Sequence, residues 1–141
     1  MNKACPVLLR NGKNGYEILA FKHPLAGNQI VKGTIEPNET LKQASIRELK
    51  EESGVIGEAS QFLGKWSSGY ENHVWGFYLM SVNSPLPNSW KFFTEDDGGH
   101  EFEFFWYSLN KKVDEQWHPL FKGAVNFIKN ALAKSLNDEK N

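Results

Sequence analysis

The chain carries a single cysteine, Cys5, among 141 residues, so no internal disulfide framework holds it together. No apolar run approaches the roughly 18 residues of a membrane-spanning helix, and Met1 to Leu9 is too short and too mixed for the apolar centre of a secretion signal. Export and membrane association are therefore not expected, and a reducing cytoplasm suits the lone thiol. Charge of one sign is also lacking. Sixteen basic residues stand against 17 acidic ones, a net charge of −1, and such a balance has no global field to gather a nucleic-acid backbone. Duplex nucleic acid is not an expected partner. Repeats, low-complexity tracts and linker-like stretches are missing too, so a single domain over residues 1–141 is expected. Nothing in the composition bears on oligomeric state.

What is present suffices for a core. Apolar residues make up 40% of the chain and charged residues 23%, and a chain of this length buries roughly two-thirds of the surface it exposes when unfolded. The runs Cys5 to Leu9 and Tyr16 to Phe21 flank Asn11-Gly12-Lys13-Asn14-Gly15, which reads as a hairpin turn. Lys22 to Asn28 reads as a loop and Gln29 to Val31 as a short strand. From Asn38 the apolar period becomes helical: Asn38 is the expected cap, Glu39 falls in the first turn, and Leu41, Ala44, Ile46 and Leu49 lead to an end near Ser53-Gly54. Gln61 to Trp66 and His73 to Val82 read as a second hairpin with its bend near Ser67-Ser68-Gly69. Asn83 to Gly99, with two prolines and Glu95-Asp96-Asp97-Gly98-Gly99, reads as a long surface loop. Glu101 to Trp106 reads as a strand entering the core. Pro119 to Leu136 reads as a closing helix, followed by a frayed polar end from Asn137.

The chemistry is concentrated in one segment. Glu48, Glu51 and Glu52 fall at i, i+3 and i+4 and share a helical face. Like charges at that spacing repel, and the helix C-terminus opposes them further. Such a face is ordinarily a solvated surface, here offset by Lys42, Arg47 and Lys50. A hard divalent cation would also remove the conflict, since Mg²⁺ takes carboxylate oxygens together with phosphate oxygens.

The wider spacing decides between these readings. Gly33, five residues, Glu39, seven residues, Arg47-Glu48, aliphatic Leu49, Lys50, Glu51-Glu52, Ser53, Gly54 and aliphatic Val55 closely resemble the Nudix box, G-x5-E-x7-R-E-U-x-E-E-x-G-U, where U is aliphatic. Every fixed position is filled, a coincidence expected on the order of once in 10⁸ windows at ordinary residue frequencies. The resemblance to Nudix hydrolases implies an α/β/α sandwich, with a mixed sheet between the box helix and a C-terminal helix. It implies metal-dependent hydrolysis of a nucleoside diphosphate linked to a moiety X, such as a nucleoside di- or triphosphate or a dinucleoside polyphosphate. The Lys32-Gly33 form resembles a subset that includes dinucleoside-polyphosphate and diphosphoinositol hydrolases.

By the same resemblance, Glu48, Glu51, Glu52 and the backbone carbonyl of Lys32 correspond to ligands of Mg²⁺, with Mn²⁺ as an alternative ion. Arg47 corresponds to the arginine that orients those carboxylates, Glu39 to the glutamate that braces the loop, and Gly33 and Gly54 to the box glycines. Chemistry needs a general base as well. Glu48 is available inside the box, while Glu101 and Glu103 are available outside it. Glu101 is preferred because it lies nearer the glycines and resembles the family's glutamate upstream of a tryptophan-containing strand. Trp66, Tyr70, Phe92 and Phe93 are candidates to stack on a base. His23 and His73 rank behind these aromatics as substrate contacts, and Lys22, Lys32, Lys65 and Arg10 are candidates for phosphate. Cys5 reads as a buried thiol. Two other classes on the same fold are a silent nucleotide sensor, disfavoured by the intact carboxylates, and an isomerase, which no further cysteine or metal cluster supports.

Overall fold

The computed structural model describes the backbone of residues 1–95 and 98–140 and the side chains of 1–95 and 98–135. Asp96, Asp97, the Leu136 side chain and Asn141, all included in the sequence reading, lie outside the described residues. In chain order the elements are β1 (Lys3–Gly12), β2 (Gly15–His23), β3 (Gly27–Gln29), β4 (Gly33–Thr34), α1 (Leu41–Ser53), β5 (Glu58–Ser67), β6 (Val74–Ser81), β7 (Trp90–Thr94), β8 (His100–Ser108) and α2 (Pro119–Lys140). The strands form one sheet in the order β5-β6-β1-β2-β8-β7, with β3 added to β2 and β4 to β1. Its centre is the parallel pairing of β1 with β6, from Lys3 opposite Trp75 to Leu8 opposite Met80. The remaining strand pairs are antiparallel.

Period-two alternation sends successive side chains to opposite faces, and each face receives one helix. Cys5, Val7, Ile18, Ala20, Trp75 and Phe77 face α2, packing with Phe121, Ala124, Val125, Ile128 and Leu132. Leu8, Leu19, Phe21, Met80, Phe102 and Phe104 face the other way and pack with Leu49 of α1 and Val55 beyond it. The sheet therefore sits between the box helix and the C-terminal helix, as expected from the resemblance.

Four expectations need correction. The cap of α1 is Thr40 rather than Asn38: Thr40 Oγ1 accepts from the Gln43 amide at 3.1 Å and Gln43 Oε1 accepts from the Thr40 amide at 2.9 Å, a reciprocal box that outcompetes Asn38. Asn38 instead takes a left-handed turn at φ 65°, and Glu39 lies before the helix. The strand expected at Gln29 to Val31 is β3, shifted two residues earlier. Much of the expected loop Lys22 to Asn28 is then strand, with Gly27 opposite His23 and a tight turn between. Gly27 has φ 80°, and a Cβ there would approach the Gln116 carbonyl to 2.8 Å. The Asn83–Gly99 connection contains β7, whose Trp90, Phe92 and Thr94 point inward against β8. Finally, α2 continues to Lys140, beyond the frayed start expected at Asn137.

Candidate active site

The box loop and α1 are joined by one guanidinium. Arg47 donates through Nε to Glu39 Oε2 at 2.7 Å and through Nη2 to Glu39 Oε1 at 2.8 Å, a two-point grip whose planar geometry a lysine cannot copy. Its Nη2 also donates to the Thr34 carbonyl at 2.9 Å, while Nη1 donates to Glu48 Oε1 at 2.7 Å and Glu51 Oε2 at 3.1 Å. Glu39 Oε1 in addition accepts from the Glu36 amide at 3.1 Å. These bonds favour charged Glu39, and chiefly the Arg47 hydrogen bonds lower its carboxyl pKa to about 2. The same bond to Glu39 is the largest influence holding the Arg47 guanidinium above its ordinary range.

Glu48 and Glu52 sit one turn apart on the inward face of α1 beside Leu49, and only 6% and 9% of their surfaces are exposed. Placing two carboxylates there is costly unless charge meets them. Glu52 Oε2 accepts from the Lys32 amide at 3.3 Å, and Arg47 meets Glu48. Gly33 leaves room for a close approach: a Cβ at that position would overlap the Glu48 carboxyl, which would have to move aside. Glu51 stands one row aside with 46% of its side chain exposed. All three carboxylates line one polar cavity of about 450 Å³, together with Lys3, Lys32, Gly33, Thr34, Glu36 and Arg47.

The convergence expected from helical spacing is incomplete. Among the described residues, no three acidic, imidazole or thiolate side chains are gathered as a metal-binding group. The physical reason is Arg47 Nη1, which stands between Glu48 and Glu51 and holds Glu51 to the side. The donor set nonetheless fits a hard cation: carboxylate oxygens, two of them on nearly buried side chains, open to one cavity beside the Lys32-Gly33 bend.

Lys32 and Glu52 also line a second, larger cavity of about 860 Å³, so the two spaces share a wall. Its aromatic lining includes Phe21, Trp66, Tyr70, Phe102 and Phe121, and its polar lining includes His23, Gln29, Ser68 and His118. Lys32 Nζ lies 5.0 Å from the Trp75 ring centre and 5.4 Å from that of Phe121. Trp66 and Tyr70 are thus brought next to the box. Phe92 and Phe93 are not in this cavity. Phe92 packs against α1, where a Cβ at Gly54 would meet it at 2.7 Å, which explains why this left-handed cap is a glycine. Phe93 lies 62% exposed beside Arg47, Lys50, Glu51 and Glu95.

Glu101 is not brought to the carboxylates either. It lies on β8 with 58% of its side chain exposed, 3.9 Å from Lys91 Nζ, and Glu103 lies 3.7 Å from the same amine. Alternation along β8 turns Phe102 and Phe104 toward α1, so Glu101 and Glu103 project from the opposite face. Lys22 lines a separate cavity with Glu103 and Lys91. Arg10 pairs with Glu17 at 2.8 Å and lies over the Trp106 ring at 4.4 Å. Lys65 is exposed on the edge strand β5, and His73 is near Glu71 and Tyr70. Cys5 is fully buried, and burial pushes its thiol well above the ordinary range, against the opposing charge of Lys32.

Sequence reasoning missed Gln29, Phe21, Phe102, Phe121 and His118 as cavity residues. They come from four separate elements and the connection before α2, and no spacing rule links them. His118 alone carries a local sign, since it precedes Pro119 where a helix-starting residue is expected.

The NUDIX domain family model matches residues 2–126 of the chain. Nudix hydrolase 21, chloroplastic, of Arabidopsis thaliana is 31% identical over 67 residues, 46% of this chain and 34% of that protein. The match thus spans about a third of the length of this curated relative. Among solved structures, an ADP-ribose pyrophosphatase from Streptococcus suis superimposes with a TM-score of 0.66 at 17% identity, covering 94% of this chain and 90% of its own. An Ap4A hydrolase from C. elegans, solved as a binary complex, gives 0.64 at 21% identity over 94% and 98%. At these identities the structural likenesses carry the fold.

Proposed function

The chain belongs to the Nudix hydrolase family, and from that premise we propose that it is a metal-dependent pyrophosphohydrolase. Its bond is the phosphoanhydride of a nucleoside diphosphate linked to a further group, as in nucleoside di- and triphosphates or dinucleoside polyphosphates. The observation that carries this reading is the single polar cavity into which Glu48, Glu51, Glu52 and the Lys32-Gly33 bend all open, braced by Arg47. The two relatives of known fold named above are described as acting on ADP-ribose and Ap4A, both of which contain such a bond.

Glu48, Glu51, Glu52 and the Lys32 carbonyl are the groups that would hold Mg²⁺ or Mn²⁺. When bound, such an ion neutralises phosphate oxygens and lowers the pKa of water. Glu51 is half-exposed and tied through one oxygen, so a side-chain rotation swings it toward its two neighbours. Arg47 keeps Glu48 in place meanwhile, because its two bonds to Glu39 do not depend on Glu51. Lys32, on the shared wall, meets the phosphate chain as a point charge. Glu48 takes the proton from the attacking water in preference to Glu101, which faces Lys91 away from the cavity.

Phosphate release from a nucleotide panel, with Mg²⁺ or Mn²⁺ and again after chelation, tests the proposal. Cleavage that requires the ion is expected. Cleavage unchanged by chelation, or none across the panel, overturns it.

A further inference from the structure

The larger cavity has a chemical bias that the box does not explain. One wall is rigid and aromatic: Trp66 stands edge-on to Trp75 at 5.1 Å and 86°, and a Cβ at Gly123 would meet the indole at 2.7 Å. Glycine at that position lets α2 close against the ring. Tyr70 is 54% exposed beside it. Such surfaces take flat heteroaromatic rings by stacking.

Away from the Glu52 carboxylate on the shared wall, two of the polar groups can only donate. His118 Nδ1 accepts the Leu120 amide at 3.1 Å, so the lone pair lies on Nδ1 and the ring proton on Nε2. The imidazole is also held edge-on to Phe121, 5.7 Å away at 89°. Flipping the ring would surrender the Leu120 bond and leave a helix N–H without that partner. His118 is therefore a fixed donor. Burial, and after it the charge of Lys32, lower its pKa and favour the neutral ring. Lys32 can only donate. Gln29, by contrast, can turn either its oxygen or its nitrogen to a ligand and so does not discriminate.

Resting on the function proposed above, we propose that this cavity receives the nucleobase end of the substrate and that His118 selects bases presenting an oxygen acceptor, such as guanine, hypoxanthine and uracil, over the amino-bearing adenine and cytosine. An amino group brought to the His118 edge sets donor against donor and forfeits its bonds to water. The phosphates then run past Lys32 and Glu52, the two residues common to both cavities, toward the box carboxylates.

The cleanest probes are pairs that differ at one substituent: inosine against adenosine monophosphate, and uridine against cytidine monophosphate. Calorimetric titration without metal should show the oxo member of each pair binding about tenfold more tightly. In His118→Asp the new carboxylate can still accept the Leu120 amide, and it carries no donor. That ratio should then fall to one or below with the melting temperature held. A ratio near one in the wild-type protein overturns the proposal, and this comparison needs no variant to fold. A ratio preserved in folded His118→Asp overturns it as well, as does the failure of every monophosphate to bind. A clear oxo preference without cleavage of any phosphoanhydride in Mg²⁺ supports the base assignment while overturning the hydrolytic reading. Cleavage without preference does the reverse.

Discussion

Arg47 and Glu39 are locked by two parallel hydrogen bonds of 2.7 and 2.8 Å across the junction between the box loop and its helix. The remaining Nη1 is thereby aimed at Glu48 and Glu51. A single residue sets both the loop's path and the orientation of two carboxylates.

Replacing it with lysine keeps the charge and removes the fork. Arg47→Lys should therefore lower kcat by about 10–100-fold, the usual cost of losing a group that orients metal ligands. Steady-state kinetics at saturating Mg²⁺ reads the effect. Near-wild-type turnover would show that charge alone suffices.

Acid should unlock the same junction. The Glu39 pKa lies near 2 in the folded chain, held down first by the Arg47 side-chain hydrogen bond, against an ordinary 4.5. A lowered pKa means that the unfolded chain binds the proton more readily, so this contribution to stability is complete above about pH 4.5. It is lost progressively as pH falls toward 2. Melting temperatures measured without metal should drop over that window, and the drop attributable to this site should be missing in Glu39→Gln. Parallel curves for the two proteins would contradict the assignment.

Glu51→Gln and Glu52→Gln should separate by environment. Both should cost turnover severely, since an amide is a poorer ligand for a hard ion. Glu51→Gln should melt at or above the wild-type temperature in the absence of metal, because it removes repulsion at a half-exposed position. Glu52→Gln changes a carboxylate that is 9% exposed and bonded to the Lys32 amide, so its fold should be the more sensitive. Differential scanning calorimetry decides between this order and its reverse.

Gly33→Ala inserts a methyl where the Glu48 carboxyl lies. Overpacking of this kind costs about 1–3 kcal/mol, or roughly 3–10 °C in melting temperature for a chain of this size. Activity should fall further than stability, because Glu48 is the group displaced. An alanine variant with unchanged melting and kcat would place the carboxyl elsewhere.

For the proton acceptor, Glu48→Gln should lower kcat by about 10²–10⁴-fold, the range for loss of a general base. Glu101→Gln and Glu103→Gln should stay within a few-fold of wild type, since both face Lys91 on the outer edge. A large loss in Glu101→Gln alone would require the loop before it to carry that side chain to the cavity during turnover.

The box was legible because its residues are close in sequence and bound by helical spacing, and the two apolar faces of β1 and β2 were legible from alternation. The start of α1 was misread because Asn38 and Thr40 are both good caps, and only the reciprocal bonding of Gln43 chooses between them. β7 was hidden by the prolines and polar residues around it, although Trp90-Lys91-Phe92 carries a strand's alternation. Glu101 lies beside Lys91 and not among the box carboxylates for a geometric reason: sequence places a residue on a strand, but which face it takes depends on the partner strands. His118 and Gln29 reach the larger cavity through the sheet's topology, which no local pattern encodes.

The parallel pairing of β1 with β6 has a kinetic consequence. Lys3 lies against Trp75, so the whole of Gly33–Val55 is contained in the loop that this pairing closes. Closing so long a loop carries an entropic cost that must be met before its contacts reward it. The helix can form early on its own capping box and rest on β1, but the sheet beneath it is completed on its β6 side only when the central strands zip together. During synthesis the bonds within the box can therefore precede the central pairing, which completes the sheet that carries them only once β6 has emerged.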